Sequence, residues 1–484
     1  MSQAHRVFSL AVFLALSLLA RLEAATAQKP NILFILTDDQ RWNALGCAGN
    51  PIIKTPHMDG LAKEGIRFRN AFVTTAICAA SRASLLTGLY ERTHRYTFGT
   101  PPIQDAHTDI SYPVQLRQAG YRTGFIGKFG VDVSPGRTTK DMFDYYEPLN
   151  RNPYFKKQPD GSEKHLTDIA FDKAVAFLDT VDKSKPWCLS LNFNEPHAED
   201  NDKRQYIWPK TEDELYKNVT IPEVKTMAAE YFEANPDFLK NSESRLRYDW
   251  RFNETGKYQE MVKGYYRMIS GVDRVIGQVR AELTKRGLAE NTIIIFTSDN
   301  GYFLGERGFA DKWYLYEHSV RVPMIIVDPK LPAIRRGETV DLMALNVDLA
   351  PTILSYAGVK VPSLMQGRSL IPLVNGKAPA DWRTDFFYEH LFDRHNIPKS
   401  EGVRTERWSY IRWFEQQPLV EELYDHQADF EEVNNLVKDP AYASVLEKMR
   451  KRTDQLRDQY GGVFKPWPKP EPKGKKAKAK AKAE

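Results

Sequence analysis

Cysteine is scarce in this 484-residue chain, with Cys47, Cys78 and Cys188 the only three. They can form one disulfide at most, which excludes a scaffold stapled by bridges and leaves at least one thiol over. Long apolar runs are absent beyond the first residues. Residues 7–20 are apolar and follow Arg6, and Ala25-Thr26-Ala27 then makes a small-residue cleavage site before Gln28. This reads as a secretory signal peptide over 1–27. The run is short for a membrane span, and no later segment reaches the necessary length. The expectation is an exported protein, periplasmic or extracellular, with no stable membrane insertion once the signal is cleaved. A free cysteine in an oxidising compartment needs a reason, and conversion of Cys78 to another group would supply one.

Nucleic-acid signatures are missing as well. There is no helix-turn-helix pattern, no zinc spacing and no basic patch on the folded part. The formal net charge of +5 comes from one end, because residues 465–484 hold eight lysines and two glutamates. Without that segment the chain is close to neutral. Its prolines and Lys-Ala alternation cannot bury a core, so a disordered Lys-rich tail is expected.

What is present is 42% hydrophobic residues, enough for one large α/β domain over 28–379 and a smaller α+β unit over 380–464. A repeated pattern dominates the first: an apolar strand that ends in polar residues. Asn31-Ile-Leu-Phe-Ile-Leu-Thr37 is continuous, as in strands buried on both faces, and runs into Asp38-Asp39. Strand 121–126 ends at Gly127-Lys128, strand 187–193 at Asn194-Glu195-Pro196-His197, and strand 292–297 at Ser298-Asp299-Asn300. A strand over 66–73 and helices over 58–63, 114–119, 168–178 and 258–286 complete the series. The last of these repeats apolar residues every three or four positions from Met261 to Leu283. Strands alternating with helices predict a mostly parallel sheet sandwiched by helices, whose ligands bind beyond the carboxyl ends of the strands. One aspartate in such a place is usually a turn or cap residue. Six residues that bind metals or anions, all at strand ends of one sheet, point to a site.

Cys78-Ala-Ala-Ser-Arg82 supplies its nucleophilic part. The run to Thr87 predicts a helix stopped by Gly88, with Cys78 in the first turn and Arg82 four residues on, over the same face. Free N–H groups there favour an anion, and a guanidinium fork suits a tetrahedral oxyanion. Asp38, Asp39, Asp299 and Asn300 form an all-oxygen set that suits Ca²⁺ or Mg²⁺. Zinc would ask for nitrogen or sulfur, and Asn300 stands where a histidine would be needed. Glu317 and Arg321, four apart, read as a scaffold ion pair.

Together these motifs resemble the type I sulfatases of the alkaline-phosphatase superfamily, in particular carbohydrate sulfatases. So do Lys312, Tyr316-Glu317 through Arg321-Val322-Pro323, and the closing Glu422-Leu-Tyr-Asp425 with Glu432 to Leu436. The resemblance implies a sulfuric ester hydrolase acting on a sulfated carbohydrate, one possibility being N-acetylglucosamine-6-sulfate. It implies that Cys78 is oxidised after translation to formylglycine, whose hydrate is the nucleophile. A formylglycine-generating or anaerobic maturation enzyme is then a partner. By the same resemblance Asp38, Asp39, Asp299 and Asn300 hold calcium with the modified Cys78. Arg82, Lys128 and Lys312 neutralise sulfate oxygens, and His197 protonates the leaving oxygen. Two departures are Ala80 in place of proline and Gly130 in place of a histidine, whose work His107 or His318 would take over. His395, Asn396 and Arg404, in or near a polar, loop-like stretch from Tyr388 to Asn396, are candidate substrate contacts. The rival readings are a phosphonate or phosphate monoester hydrolase of the same superfamily and an inactive glycan-binding relative.

Overall fold

The computed structural model describes residues 29–467, so the signal peptide and nearly all of the Lys-rich tail lie outside the described residues. The first strand, β1 (Asn31–Thr37), has every residue buried. That follows from its position in the middle of an eight-stranded sheet. With β2 (Ile66–Phe68), β3 (Arg122–Gly127), β4 (Tyr145–Pro148), β5 (Trp187–Asn192), β6 (Thr292–Ser298), β7 (Met324–Val327) and β8 (Thr339–Val340), the order is β8-β2-β7-β6-β1-β5-β3-β4. The five strands β6, β1, β5, β3 and β4 run parallel, while β7 is antiparallel to both of its neighbours.

Register aligns the carboxyl ends. Thr37 pairs with Ser298, Leu36 with Asn192, and Gly127 with the same Asn192. The residues that follow these strands therefore emerge side by side. Hydrophobic residues of α1 (Pro56–Glu64), α4 (Leu166–Asp179) and α6 (Thr255–Lys285) cover one face of the sheet. Those of α2 (Cys78–Thr87) and α3 (Tyr112–Gln118) cover the other. All ten residues of α2 are buried, and it ends where Gly88 takes a left-handed conformation at φ 68°. A fully buried short helix is held by packing rather than by propensity, so its first residue is fixed in space.

A second sheet is an antiparallel meander of β9 (Asp385–His390), β10 (Ser400–Thr405), β11 (Trp408–Trp413) and β12 (Val420–Asp425), with α7 (Ala443–Tyr460) against it. Tyr460 of α7 stacks on Tyr90, 3.8 Å between ring centroids, close behind α2.

Two expectations change. The run 66–73 is not one strand: β2 ends at Phe68, and Ala71–Phe72 pairs instead with Ala344–Leu345 in a separate ribbon. At the break Arg321 donates to the Arg69 carbonyl and to Asn70 Oδ1. Tyr388, Glu389 and His390 are buried strand, not loop. Glu389 is neutralised there by Arg92 at 2.8 Å, and the loop begins only after them.

Candidate active site

Each side chain of the site is placed by a strand end or by the start of α2. Asp39, the second residue after β1, adopts φ 73°. Its N–H donates to Asp299 Oδ1 at 3.2 Å, and Asn300 Nδ2 donates to Asp39 Oδ1 at 2.7 Å. The ends of β1 and β6 are thus tied together by their own carboxylates. Lys128, beyond β3, pairs with Asp38, and Lys312 pairs with Asp39. Arg82 reaches across from the second turn of α2. Its Nε donates to Asp299 Oδ2 at 2.8 Å, and its Nη1 to the Lys128 carbonyl. Its Nη2 is buried without a hydrogen-bond partner.

Electrostatics sorts the carboxylates. Burial would raise Asp38, but Lys128, Arg82 and Lys312 outweigh it and hold the group well below the usual carboxylate range. Burial and the charge of Asp38 push Asp299 up to about 7, against Arg82 and Lys128. Asp39 is raised by burial too, with Lys312 opposing. Three acids and three cations, Arg82, Lys128 and Lys312, thus share one buried cluster in which Asp38 holds its negative charge most firmly.

Among the orphaned buried atoms are Asp38 Oδ1, Asp39 Oδ2 and Asn300 Oδ1. Buried oxygens without donors are costly, and a hard cation would satisfy all three. The residues present fit calcium on this ground, in keeping with its all-oxygen preference. His197 Nε2 also lies in this group: ligand atoms of Asp38, Asp39 and His197 fall within 4.8 Å of one another.

Cys78 opens α2 beside these groups, 5% exposed. Burial is the main cause that pushes its thiol up, and Lys128 offsets this only partly. A raised thiol is a poor nucleophile as it stands. His197 is buried, and its ring is held well below the ordinary histidine value by burial and then by Arg151, Lys312 and Lys128. Its Nδ1 bonds the Ala198 carbonyl at 2.5 Å, so the neutral ring carries its proton there. Nε2, 3.7 Å from Asp39 Oδ2, is left bare. Tyr154 fixes the segment by donating to the His197 carbonyl at 2.6 Å.

A cavity of about 330 Å³ opens over Cys78, Lys128, His197 and Lys312. Its outer wall holds residues the sequence reading passed over: Phe98, Arg151, Asp200, Arg247, Phe392 and Arg394. Arg247 is anchored by Asp311 at 2.7 Å, Asp200 at 3.1 Å and Glu243 at 3.0 Å, and its guanidinium lies over Trp313. Arg151 was findable, since it follows β4, a further parallel strand end. The half-polar Tyr-Tyr-Glu-Pro of that edge strand hides it. Arg247 is delivered by α5 (Glu243–Arg251) through a long-range contact that no local pattern announces.

Other expected residues stand elsewhere. Arg404 is buried in β10 with Nε on Glu317 Oε1 at 2.7 Å, joining the Glu317–Arg321 pair at 3.2 Å. Its charge is spent on the scaffold, and it does not line the cavity. His395 is exposed and Asn396 donates to Glu243 at 2.6 Å; their neighbours Arg394 and Ile397 line the cavity instead. Neither His107 nor His318 lines it. His318 is engaged by Arg41 at 2.7 Å and Glu431 at 3.1 Å. At Gly130, φ is 70°, a backbone conformation that favours glycine, and a Cβ would press on Arg82 Cδ at 3.0 Å. All three cysteines are free.

Comparison with known proteins agrees with this geometry. The sulfatase family model matches residues 30–359, and the model "N-sulphoglucosamine sulphohydrolase, C-terminal" matches 305–459. The chain is 32% identical to an N-acetylglucosamine-6-O-sulfatase of Bacteroides thetaiotaomicron, over 92% of this chain and 89% of that one. It is 27% identical to the N-acetylglucosamine-6-sulfatase of Homo sapiens, over 92% and 88%. A solved structure in complex with its substrate D-glucosamine-2-N,6-O-disulfate superimposes with a TM-score of 0.78 at 29% identity, covering 90% of this chain and 98% of that one. With its alkaline-phosphatase-like sheet and its antiparallel C-terminal meander, the chain belongs to the sulfatase family of sulfuric ester hydrolases.

Proposed function

We propose that this protein removes sulfate from O6 of an N-acetylglucosamine unit in a sulfated glycan, after export to the periplasm or cell exterior. The observation that carries the reading is the orphaned trio Asp38 Oδ1, Asp39 Oδ2 and Asn300 Oδ1 beside Cys78 and Arg82 Nη2, which makes no hydrogen bond. It is a cation cradle next to an anion cradle. Asp38, Asp39, Asp299 and Asn300 would hold calcium, which when bound supplies Lewis-acid polarisation of a sulfate oxygen. Formylglycine made from Cys78 by a maturation enzyme would supply an attacking hydroxyl that the raised thiol does not.

The chain's own residues do the rest. Arg82, Lys128 and Lys312 receive the sulfate oxygens in a dry pocket, where preorganised charge counts for more than in water. His197 rests neutral because it is buried and, beyond that, because cations surround it. An anionic sulfate offsets those cations and favours protonation of Nε2, from which the leaving oxygen takes its proton. Phe98 and Phe392 on the wall offer apolar ring surface to a sugar. The names of the relatives support the amino sugar and the 6-position.

A desulfation screen tests this. Sulfate released from N-acetylglucosamine-6-sulfate should exceed that from 2-O- and 3-O-sulfated sugars. Phosphonate and phosphate monoesters should react more slowly still. Faster phosphonate turnover would overturn the assignment.

A further inference from the structure

The cavity over Cys78 is not closed on its outer side. A second cleft of about 580 Å³ adjoins it, and Phe98, Lys128 and Arg151 line both. Both volumes fall in the ~300–1,000 Å³ range of ligand pockets. Gly130 lies in the wall of the outer cleft, where no side chain narrows the passage beside Lys128. The chemistry of the outer cleft differs from that of the inner cavity. Three exposed amides, Asn150, Asn152 and Asn201, are set around the rings of Tyr96, Phe129 and Tyr146. At the junction Arg151 Nε is buried without a hydrogen bond, 3.6 Å from Glu199 Oε2, which also has none. A guanidinium and a carboxylate, paired with each other but not hydrogen-bonded, thus stand at the edge of the outer cleft.

Planar amides, one arginine, one carboxylate and flat aromatic faces bind the hydroxyls and the C–H faces of a pyranose. They do not form a second catalytic centre. We infer that the outer cleft is a subsite for the saccharide unit joined to the one that carries the scissile sulfate, with Arg151 and Glu199 gripping the hydroxyls nearest the linkage. The inference rests on the sugar-sulfate reading above and extends it from a monosaccharide pocket to a site that reads at least a disaccharide.

Calorimetry on the calcium-loaded Cys78→Ala protein, which cannot turn substrate over, tests it with two ligands. These are N-acetylglucosamine-6-sulfate and a disaccharide with that unit at one end. Two or three added hydrogen bonds should tighten the disaccharide about tenfold. Asn201→Trp or Asn150→Trp, each a change at an exposed position that fills the cleft, should cancel the advantage and leave the monosaccharide as tight as before. Arg151→Gln should reduce the advantage as well. Equal affinities for the two ligands in the parent overturn the subsite while sparing the sugar-sulfate reading. So does a tryptophan variant that keeps the tenfold preference. No binding of either ligand overturns both.

Discussion

Asp299 shows how much a single residue of this site is asked to do. Its two oxygens bind the Asp39 N–H and Arg82 Nε, so it holds both the cation cradle and the anion cradle. Asp299→Asn keeps the shape and removes a charge. Metal analysis should find calcium near one equivalent in the wild type and well below that in the variant. Undiminished calcium would remove Asp299 from the ligand set. His197 and Arg82 separate by leaving group. His197→Ala should slow sugar sulfates, which leave as basic alkoxides, ~100-fold or more, and activated aryl sulfates far less. Arg82→Ala should slow both alike, since it meets the sulfate common to each. Equal losses for His197→Ala on the two substrates would make that residue a sulfate binder.

At the scale of elements, α6 and α1 are joined by one buried carboxylate. Asp273 of α6 accepts the N–H groups of Met58 at 2.7 Å and His57 at 3.2 Å, near the start of α1. Burial, against those two donors, pushes it up to about 7. A folded value above the unfolded one means that its stabilisation is complete below about pH 4 and lost as pH rises through about 7. In thermal or denaturant melts, the stability difference between wild type and Asp273→Asn should move by about 2 kcal/mol against wild type from pH 5 to pH 7. No movement would mean that the carboxylate is ionised throughout. The central elements were legible in the sequence for plain reasons. β1, β5 and β6 are apolar throughout because both faces are covered, and α6 keeps its periodicity over eight turns. With strands recognised, the residues after them followed, which is why Asp38, Asp39, Lys128, His197, Asp299 and Asn300 could be named beforehand. Edge strand β4 was not legible, and Arg151 was lost with it. Nor was β9, where the polar letters Glu389 and His390 suggest a loop. Pairing with Arg92, which is distant in sequence, is what lets Glu389 lie inside a sheet.

The whole molecule is two sheets locked behind the helix that carries Cys78. Arg92, shortly after α2, bridges Glu389 at 2.8 Å and Glu401 at 2.6 Å in the second sheet, with all three side chains at most 5% exposed. Arg92→Met leaves two buried carboxylates without their cation and should cost about 3–5 kcal/mol, read as a lowered melting midpoint. A change under 1 kcal/mol would show that the second sheet is held by packing alone. No helix among the described residues is long and apolar enough to cross a membrane. In this arrangement the two sheets, the cation cradle and the cavity converge on one side chain whose thiol is raised by its surroundings. The most direct test is therefore the mass of the Cys78 peptide from protein made in a host with the maturation machinery, followed alongside sulfate release. The account predicts a loss of about 18 Da relative to the thiol peptide, in proportion to specific activity, as a nucleophile formed by hydration of the aldehyde requires. Full activity from protein whose Cys78 peptide retains its thiol would contradict it.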